Sequence, residues 1–153
     1  MTSLRRTLDL PYRPEDLFDL ASDVGRYPDF IKWIRRLRLL SEETVGDTWK
    51  GRAEATVGFL AFTETFVTDV TAKRDALSID VALVRGPFRR LRNTWRFAPA
   101  AFGTKLDFTI DFEFRNFVLQ AVAEANRDLA VSSIIDAFTA EAAQRYKKVV
   151  TPV

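Results

Sequence analysis

The chain has 153 residues, of which 47% are hydrophobic and 29% are charged, so it is long enough to bury a substantial core. Low glycine and proline counts exclude a collagen-like chain, and no uninterrupted apolar stretch is long enough to span a bilayer. The 23 basic and 21 acidic residues give a net charge of +2, which is too balanced to indicate DNA binding. These numbers predict a single domain over residues 1–153.

Two residue types that dominate enzyme and metal chemistry are missing. The chain has no cysteine and no histidine, which excludes disulfides, thiol nucleophiles, zinc–thiolate sites and histidine bases. Any catalytic site would have to use Asp, Glu, Lys, Tyr or Arg. The first residues, MTSLRRTLDL, lack the apolar core of a signal peptide. We therefore expect a cytoplasmic protein.

The first 30 residues alternate between extended and helical signals. Residues 3–10 place leucines on one side of a predicted strand. Pro14, followed by Glu15 and Asp16, is typical of the first turn of a helix, and this helix is predicted to be about two turns long. The segment 23–30 contains Gly and Pro and is predicted to form a turn or a second short helix.

From Trp33 to Phe114 the apolar residues recur with a period of two, which predicts consecutive antiparallel strands. Breaks with turn-forming residues separate the strands. The predicted strands are 33–43, 48–57, 62–71, 76–84, 88–98 and 104–114.

The last two predicted strands define their own register. Placing Trp95 opposite Phe108 buries both aromatic rows and makes the outward pairs complementary. Those outward pairs are Arg96–Asp107, Thr94–Thr109, Arg92–Asp111 and Arg90–Glu113. The arginine-rich strand is then a solvated face with paired charges, and contact with an anionic membrane or RNA phosphates remains the alternative.

Residues 117–149 contain neither Gly nor Pro and are rich in Ala, which predicts one carboxy-terminal helix of about 50 Å. The apolar phase changes along this segment. A bend between Asn126 and Ser133, with Ser132–Ser133 as the expected place, would reconcile the two stripes.

The order of elements predicts an α+β fold in which a curved, seven-stranded antiparallel sheet wraps around the long helix. The small inward residues Gly51, Ala53 and Ala55 leave volume beside the helix. We therefore expect an apolar cavity between sheet and helix, and a fully packed core is the alternative.

Four segments resemble a known family in this order: DVGRYPDFIKW at 23–33, VGF at 57–59, RGPFRRLRNTWRF at 85–97 and DFEFRN at 111–116. They are similar to the coenzyme Q-binding members of the START-like superfamily, the polyketide cyclase/dehydrase type of helix-grip domain. The resemblance implies non-enzymatic binding of ubiquinone or a similar polyprenyl lipid, no covalent cofactor, and a supporting role in respiration and quinone biosynthesis. The bacterial ribosome-association toxins are a close branch, so binding to the large ribosomal subunit is an alternative, and a cyclase-like enzyme is a second one.

An isoprenoid ligand needs a dry tunnel with many aromatic side chains and one or two hydrogen-bond donors for its quinone oxygens. Asn93 is the first predicted donor, with Tyr27 and Trp33 as further candidates, and Glu64 could donate if it were buried and protonated. A satisfied internal amide is the alternative for Asn93. The predicted ligand-binding residues are Trp33, Val57, Phe59, Phe66, Leu83, Phe88, Asn93, Trp95, Phe108, Phe112, Val122, Leu129 and Phe138, and no metal or catalytic residue is predicted.

Two turns are predicted to form an entrance. The segment 58–62 carries three large apolar residues, and Phe88 is flanked by Arg85, Arg89 and Arg90. Apolar tips surrounded by arginine suit peripheral docking at the anionic inner face of the cytoplasmic membrane. In the alternative interpretation, both tips fold inward and cover the core.

Overall fold

The computed structural model describes residues 2–59 and 61–151, and Leu60, in the predicted entrance turn, lies outside them. Seven antiparallel strands form one sheet in the order β1-β7-β6-β5-β4-β3-β2. The strands are β1 (Thr2–Leu10), β2 (Ile34–Val45), β3 (Thr48–Phe59), β4 (Phe62–Lys73), β5 (Ser78–Arg85), β6 (Phe88–Ala100) and β7 (Gly103–Phe114). The helices are α1 (Pro14–Ser22), α2 (Tyr27–Phe30), α3 (Phe117–Ala125) and α4 (Arg127–Arg145), with a short 3-10 turn at Val24–Arg26.

The predicted register between β6 and β7 is confirmed. Trp95 is opposite Phe108 and Leu91 is opposite Phe112. The Trp95 and Phe108 rings meet edge to face with their centroids 4.9 Å apart. Because a slip of one residue would turn the whole aromatic row to water, burial of this row specifies the pairing.

One of the predicted ion pairs on the outer face is replaced by two others. Asp107 accepts hydrogen bonds from the Arg5 guanidinium of β1, with an Nε–Oδ1 distance of 2.8 Å, and Arg96 pairs with Asp80 of β5 at 2.9 Å. The predicted Arg96–Asp107 pair is therefore replaced, because β7 has a second neighbouring strand that supplies its own arginine. Hydrogen bonding to Arg5 lowers the pKa of Asp107.

The predicted bend in the terminal helix is a break between two helices. α3 ends at Ala125 and α4 begins at Arg127, so the break is at Asn126, within the predicted interval but not at Ser132–Ser133. The Asn126 side chain donates to the Val122 carbonyl at 2.8 Å, which is the local competition that makes Asn unfavourable inside helices.

The core lies between the concave face of the sheet and α1 and α4. Phe138 of α4 is 1% exposed, and its ring centroid is 5.1 Å from Trp95. β7 begins at Gly103, where φ is +139° and an added Cβ would lie 2.2 Å from the Leu10 carbonyl oxygen. Within the described part of the chain, no helix combines the length and apolar character required to cross a membrane.

Candidate ligand-binding site

A cavity of about 150 Å³ lies on the concave side of the sheet, where α2 and α4 cross it. Ala53 and Ala55 of β3 are two of the small residues in its wall, and their size leaves part of this volume empty. The wall is otherwise aliphatic and aromatic, and it includes no charged side chain. It consists of Val24, Tyr27, Ile31, Trp33, Ile34, Leu37, Ala53, Ala55, Val57, Phe66, Thr68, Val70, Val81, Leu91, Asn93, Trp95, Phe108, Ile110 and Ile134.

A smaller cavity of about 60 Å³ lies next to the first, toward α3. Val57 belongs to both walls. Phe66 of the larger cavity and Phe88 of the smaller one form an edge-to-face pair with centroids 5.2 Å apart. The Phe66 and Phe88 rings therefore form part of the wall between the two cavities. The smaller wall consists of Val57, Phe59, Phe62, Glu64, Phe88, Phe114, Leu119, Val122 and Ala123.

Asn93 faces the larger cavity with its amide held by two hydrogen bonds. Its Nδ2 donates to the Thr109 carbonyl at 2.7 Å, and its Oδ1 accepts from the Trp95 indole at 2.8 Å. Asn93 therefore lines the cavity, as predicted. Its amide is also bonded internally, as the alternative interpretation expected. Since an amide nitrogen carries two hydrogens, one N–H remains for another acceptor.

Thr68 is the polar wall residue that the sequence analysis missed. It lies on β4 between Phe66 and Val70, is 6% exposed, and lines the larger cavity. No side-chain hydrogen bond involves its hydroxyl within residues 2–59 and 61–151. The period of two that places Phe66 and Val70 inward also places Thr68 inward, so the signal was present in the sequence.

The two further predicted donors are already engaged. The Tyr27 hydroxyl donates to the Ala21 carbonyl, and burial, with a smaller contribution from Asp23, raises the Tyr27 pKa. The Trp33 indole donates to the Ser133 hydroxyl at 2.8 Å. This last bond connects the residue before β2 to α4, across one side of the cavity.

The predicted ligand-binding residues separate into three groups by position. Six line the larger cavity: Trp33, Val57, Phe66, Asn93, Trp95 and Phe108. Phe59, Phe88 and Val122 line the smaller cavity, together with Glu64. Leu83, Phe112, Leu129 and Phe138 line neither. Whether any of these residues contacts a ligand stays a prediction.

The placement of Leu129 in the cavity wall is wrong. Its side chain is 59% exposed, as is Val118 at the other end of the same predicted stripe, so this stripe does not face the sheet along its whole length. Phe138 is buried on the sheet side of α4 and packs against Trp95 and Phe97, so it supports the wall from behind. Phe112 likewise packs beside Phe114, which does line the smaller cavity.

Phe59 and Phe88, in the two predicted entrance turns, face inward. Phe88 is 6% exposed, and the Phe59 ring lies 6.2 Å from Trp33, so neither residue forms an apolar tip. The exposed apolar side chains at this end belong to α3 instead, where Phe117 is 85% exposed and Val118 is also exposed. Arg115 donates to the Gly86 carbonyl at 3.0 Å, which places the start of α3 beside the arginines of the β5–β6 turn.

A curved sheet that grips terminal helices around an apolar cavity defines the START-like helix-grip fold. Residues 10–139 match the family described as polyketide cyclase/dehydrase and lipid transport. The chain belongs to this family.

Relatives with two different descriptions cover nearly the whole chain. The ribosome association toxin RatA of Rickettsia prowazekii is 30% identical over 150 residues, which are 96% of this chain and 100% of the toxin. The mitochondrial coenzyme Q-binding protein coq10 of Schizosaccharomyces pombe is 30% identical over 141 residues, covering 90% of this chain and 85% of that protein. The solution structure of the 18 kDa protein CC1736 of Caulobacter crescentus has 42% identity and a TM-score of 0.81, with 94% and 97% of the two chains covered.

Proposed function

We propose that this protein binds ubiquinone or a similar prenylated quinone without turnover. The observation that carries the proposal is the composition of the larger cavity wall, which is apolar and aromatic, lacks charge, and presents the neutral donors Asn93 and Thr68. A quinone has an apolar ring with uncharged acceptor oxygens, so this wall complements it. The relationship to a coenzyme Q-binding protein supports the same ligand class.

The cavity volume supports the larger cavity as the site of the quinone ring. An apolar cavity of about 150 Å³ holds one benzene ring in another protein, and the larger cavity has the same size. The isoprenoid tail must then leave through a neighbouring space. The smaller cavity toward α3 is nearly all apolar, whereas the cleft at the other end includes Asp23, Asp47 and Arg74. The tail therefore runs past Phe88 toward α3, where each buried methylene contributes about 0.8 kcal/mol.

The exposed face of α3 is the proposed contact with an anionic membrane at the cytoplasmic side. Phe117 and Val118 form an exposed apolar pair next to Arg115. The hydrogen bond from Arg115 to the Gly86 carbonyl links this end of α3 to the turn that carries Arg85 and Arg89. The apolar pair suits contact with lipid acyl chains, and the arginines suit contact with anionic headgroups. Because the tail leaves the cavity at the same end, the ligand would enter directly from the bilayer.

Ligand extraction tests the proposed function. The purified protein, extracted with organic solvent and analysed by mass spectrometry, is expected to yield a prenylated quinone. Protein stripped of ligand is expected to take up a decyl-tailed benzoquinone at about one molecule per chain. Absence of quinone from the extract, together with no uptake, would rule out the proposal.

Quinone-loaded vesicles test the direction of entry in the same experiment. Transfer to the stripped protein is expected to be faster from anionic vesicles than from neutral ones. Phe117→Glu is expected to slow transfer from anionic vesicles and to leave the affinity for quinone in solution unchanged. Equal transfer rates for the variant and the unmodified protein would reject α3 as the membrane contact.

We propose binding without catalysis because the larger cavity offers no group suited to act as a general base. The larger cavity wall has no carboxylate, and Tyr27 already donates its proton to Ala21 while its raised pKa keeps it neutral. Glu64 belongs to the smaller cavity, which the tail would occupy.

Ribosome binding is the second candidate, and the relationship to ribosome association toxins favours it. Many arginines of the outer sheet face are engaged by carboxylates, including Arg5, Arg52 and Arg96, which weakens that face as an RNA surface. Co-sedimentation with the large ribosomal subunit that declines steeply with salt would support this candidate. Absence of the protein from the subunit fraction at low salt would remove it.

A further inference from the structure

We propose that Thr68 and Asn93 bind the two opposite carbonyl oxygens of the quinone ring. The inference rests on the proposed function and specifies the orientation of the ring in the larger cavity. Both residues line that cavity. The Thr68 side chain is 6% exposed, and no side-chain hydrogen bond engages its hydroxyl within the described residues. Because no fully enclosed side-chain nitrogen or oxygen in that part of the chain lacks a partner, the hydroxyl oxygen remains accessible.

The sheet register gives the separation of the two residues. Thr68 of β4 is opposite Leu83 of β5, and Asn93 of β6 is opposite Val81 of β5. Thr68 and Asn93 are therefore two strands apart laterally and two residues apart along β5. Standard strand spacings place their Cα atoms about 11–12 Å apart in a flat sheet, and curvature toward the cavity brings the side-chain ends closer.

A 1,4-quinone matches this separation. Its two carbonyl oxygens are about 5 Å apart across the ring, given C=O bonds of about 1.2 Å. Hydrogen bonds of about 2.8 Å at each end extend the donor-to-donor distance to roughly 9–11 Å, depending on the angle at each oxygen. One ring can therefore span from Thr68 to Asn93 inside a cavity that has room for one ring.

Trp95 fixes the orientation of the Asn93 amide. The indole N–H can only donate, so the amide atom that it contacts at 2.8 Å must be the oxygen. The Thr109 carbonyl can only accept, so the atom that it contacts at 2.7 Å must be the nitrogen. The amide cannot flip without losing both bonds, and its second N–H remains the group that it offers to a ligand.

Both carbonyl oxygens of the quinone are acceptors, and they match a hydroxyl donor at one end of the ring and an amide donor at the other.

The test uses stripped protein, a decyl-tailed benzoquinone, and an analogue with the same ring and tail but no carbonyl groups. Thr68→Val, which removes the hydroxyl and keeps the shape, is expected to weaken quinone binding about tenfold. Affinity for the analogue without carbonyls should not change. Thr68→Ser should retain quinone binding, and Thr63→Val, on the exposed face of the same strand, should behave like the unmodified protein.

Infrared spectra of quinone labelled with ¹³C at one carbonyl or the other provide an independent readout. In the unmodified protein both carbonyl stretches should be lowered by hydrogen bonding, and Thr68→Val should return one of them toward its value in an apolar solvent. If the protein binds quinone but Thr68→Val changes neither affinity nor spectrum, the orientation is wrong and the proposed function stands. If the protein binds no quinone, the proposed function itself fails.

Discussion

Ala55→Leu is expected to reduce quinone binding more than about a hundredfold while the protein stays folded. Ala55 is buried in the wall of the larger cavity, so the added carbons would project into space that the ring needs. Because this space is empty in the free protein, the larger side chain should change the free energy of unfolding by less than about 1–2 kcal/mol. Quinone titration followed by tryptophan fluorescence measures the first effect, and urea denaturation measures the second.

Ala82→Leu provides the matched control. Ala82 is exposed on β5, on the opposite face of the same sheet, so the identical change there should affect neither binding nor stability. If Ala55→Leu retained full affinity for quinone, the larger cavity would not be the ligand site. A cooperative unfolding transition at a similar urea concentration would show that any loss of binding comes from blocking the cavity.

The sheet could be predicted because its strands alternate between buried and exposed residues. The apolar row from Leu106 to Phe114 shows which face of β7 is buried. Trp95 then fixes how β6 pairs with it. The cavity could be anticipated for a related reason. Small side chains at Ala53 and Ala55 recur on the inward face, and neither can fill the space above it.

Features that depend on competition between neighbours were not predictable from the strand pattern. Asp107 has an arginine on each side, and only the structure shows that Arg5 of β1 is the one that binds it. The helix break at Asn126 depends on a local hydrogen bond that competes with a favourable helix sequence.

Of the two polar donors proposed for the ligand, the sequence predicted Asn93 but not Thr68. Asn93 is conspicuous because it interrupts an apolar row, and the structure places it in the larger cavity. Thr68 is inconspicuous because threonine is common on either face of a strand. Its importance depends on its place in the cavity wall and on a hydroxyl that no other side chain engages, which a sequence pattern does not report.

Phe138→Ala is expected to lower the free energy of unfolding by about 3–5 kcal/mol. The Phe138 side chain is fully enclosed and connects α4 to Trp95 and Phe97 of β6, so its removal leaves a void and weakens the attachment of the helix to the sheet. A loss of this size is a large fraction of the 5–15 kcal/mol of a typical domain. Urea denaturation monitored by circular dichroism measures it.

Phe117→Ala is the corresponding control on the neighbouring helix, where the ring is 85% exposed and the change should be within about 0.5 kcal/mol. Phe138 lies behind Trp95 and does not line the cavity, so its loss should leave quinone affinity nearly unchanged in the folded fraction. The two main variants should therefore have opposite effects, since Ala55→Leu removes binding at nearly constant stability. If Phe138→Ala abolished binding in fully folded protein, the cavity would depend on the position of α4 and not on the sheet wall alone.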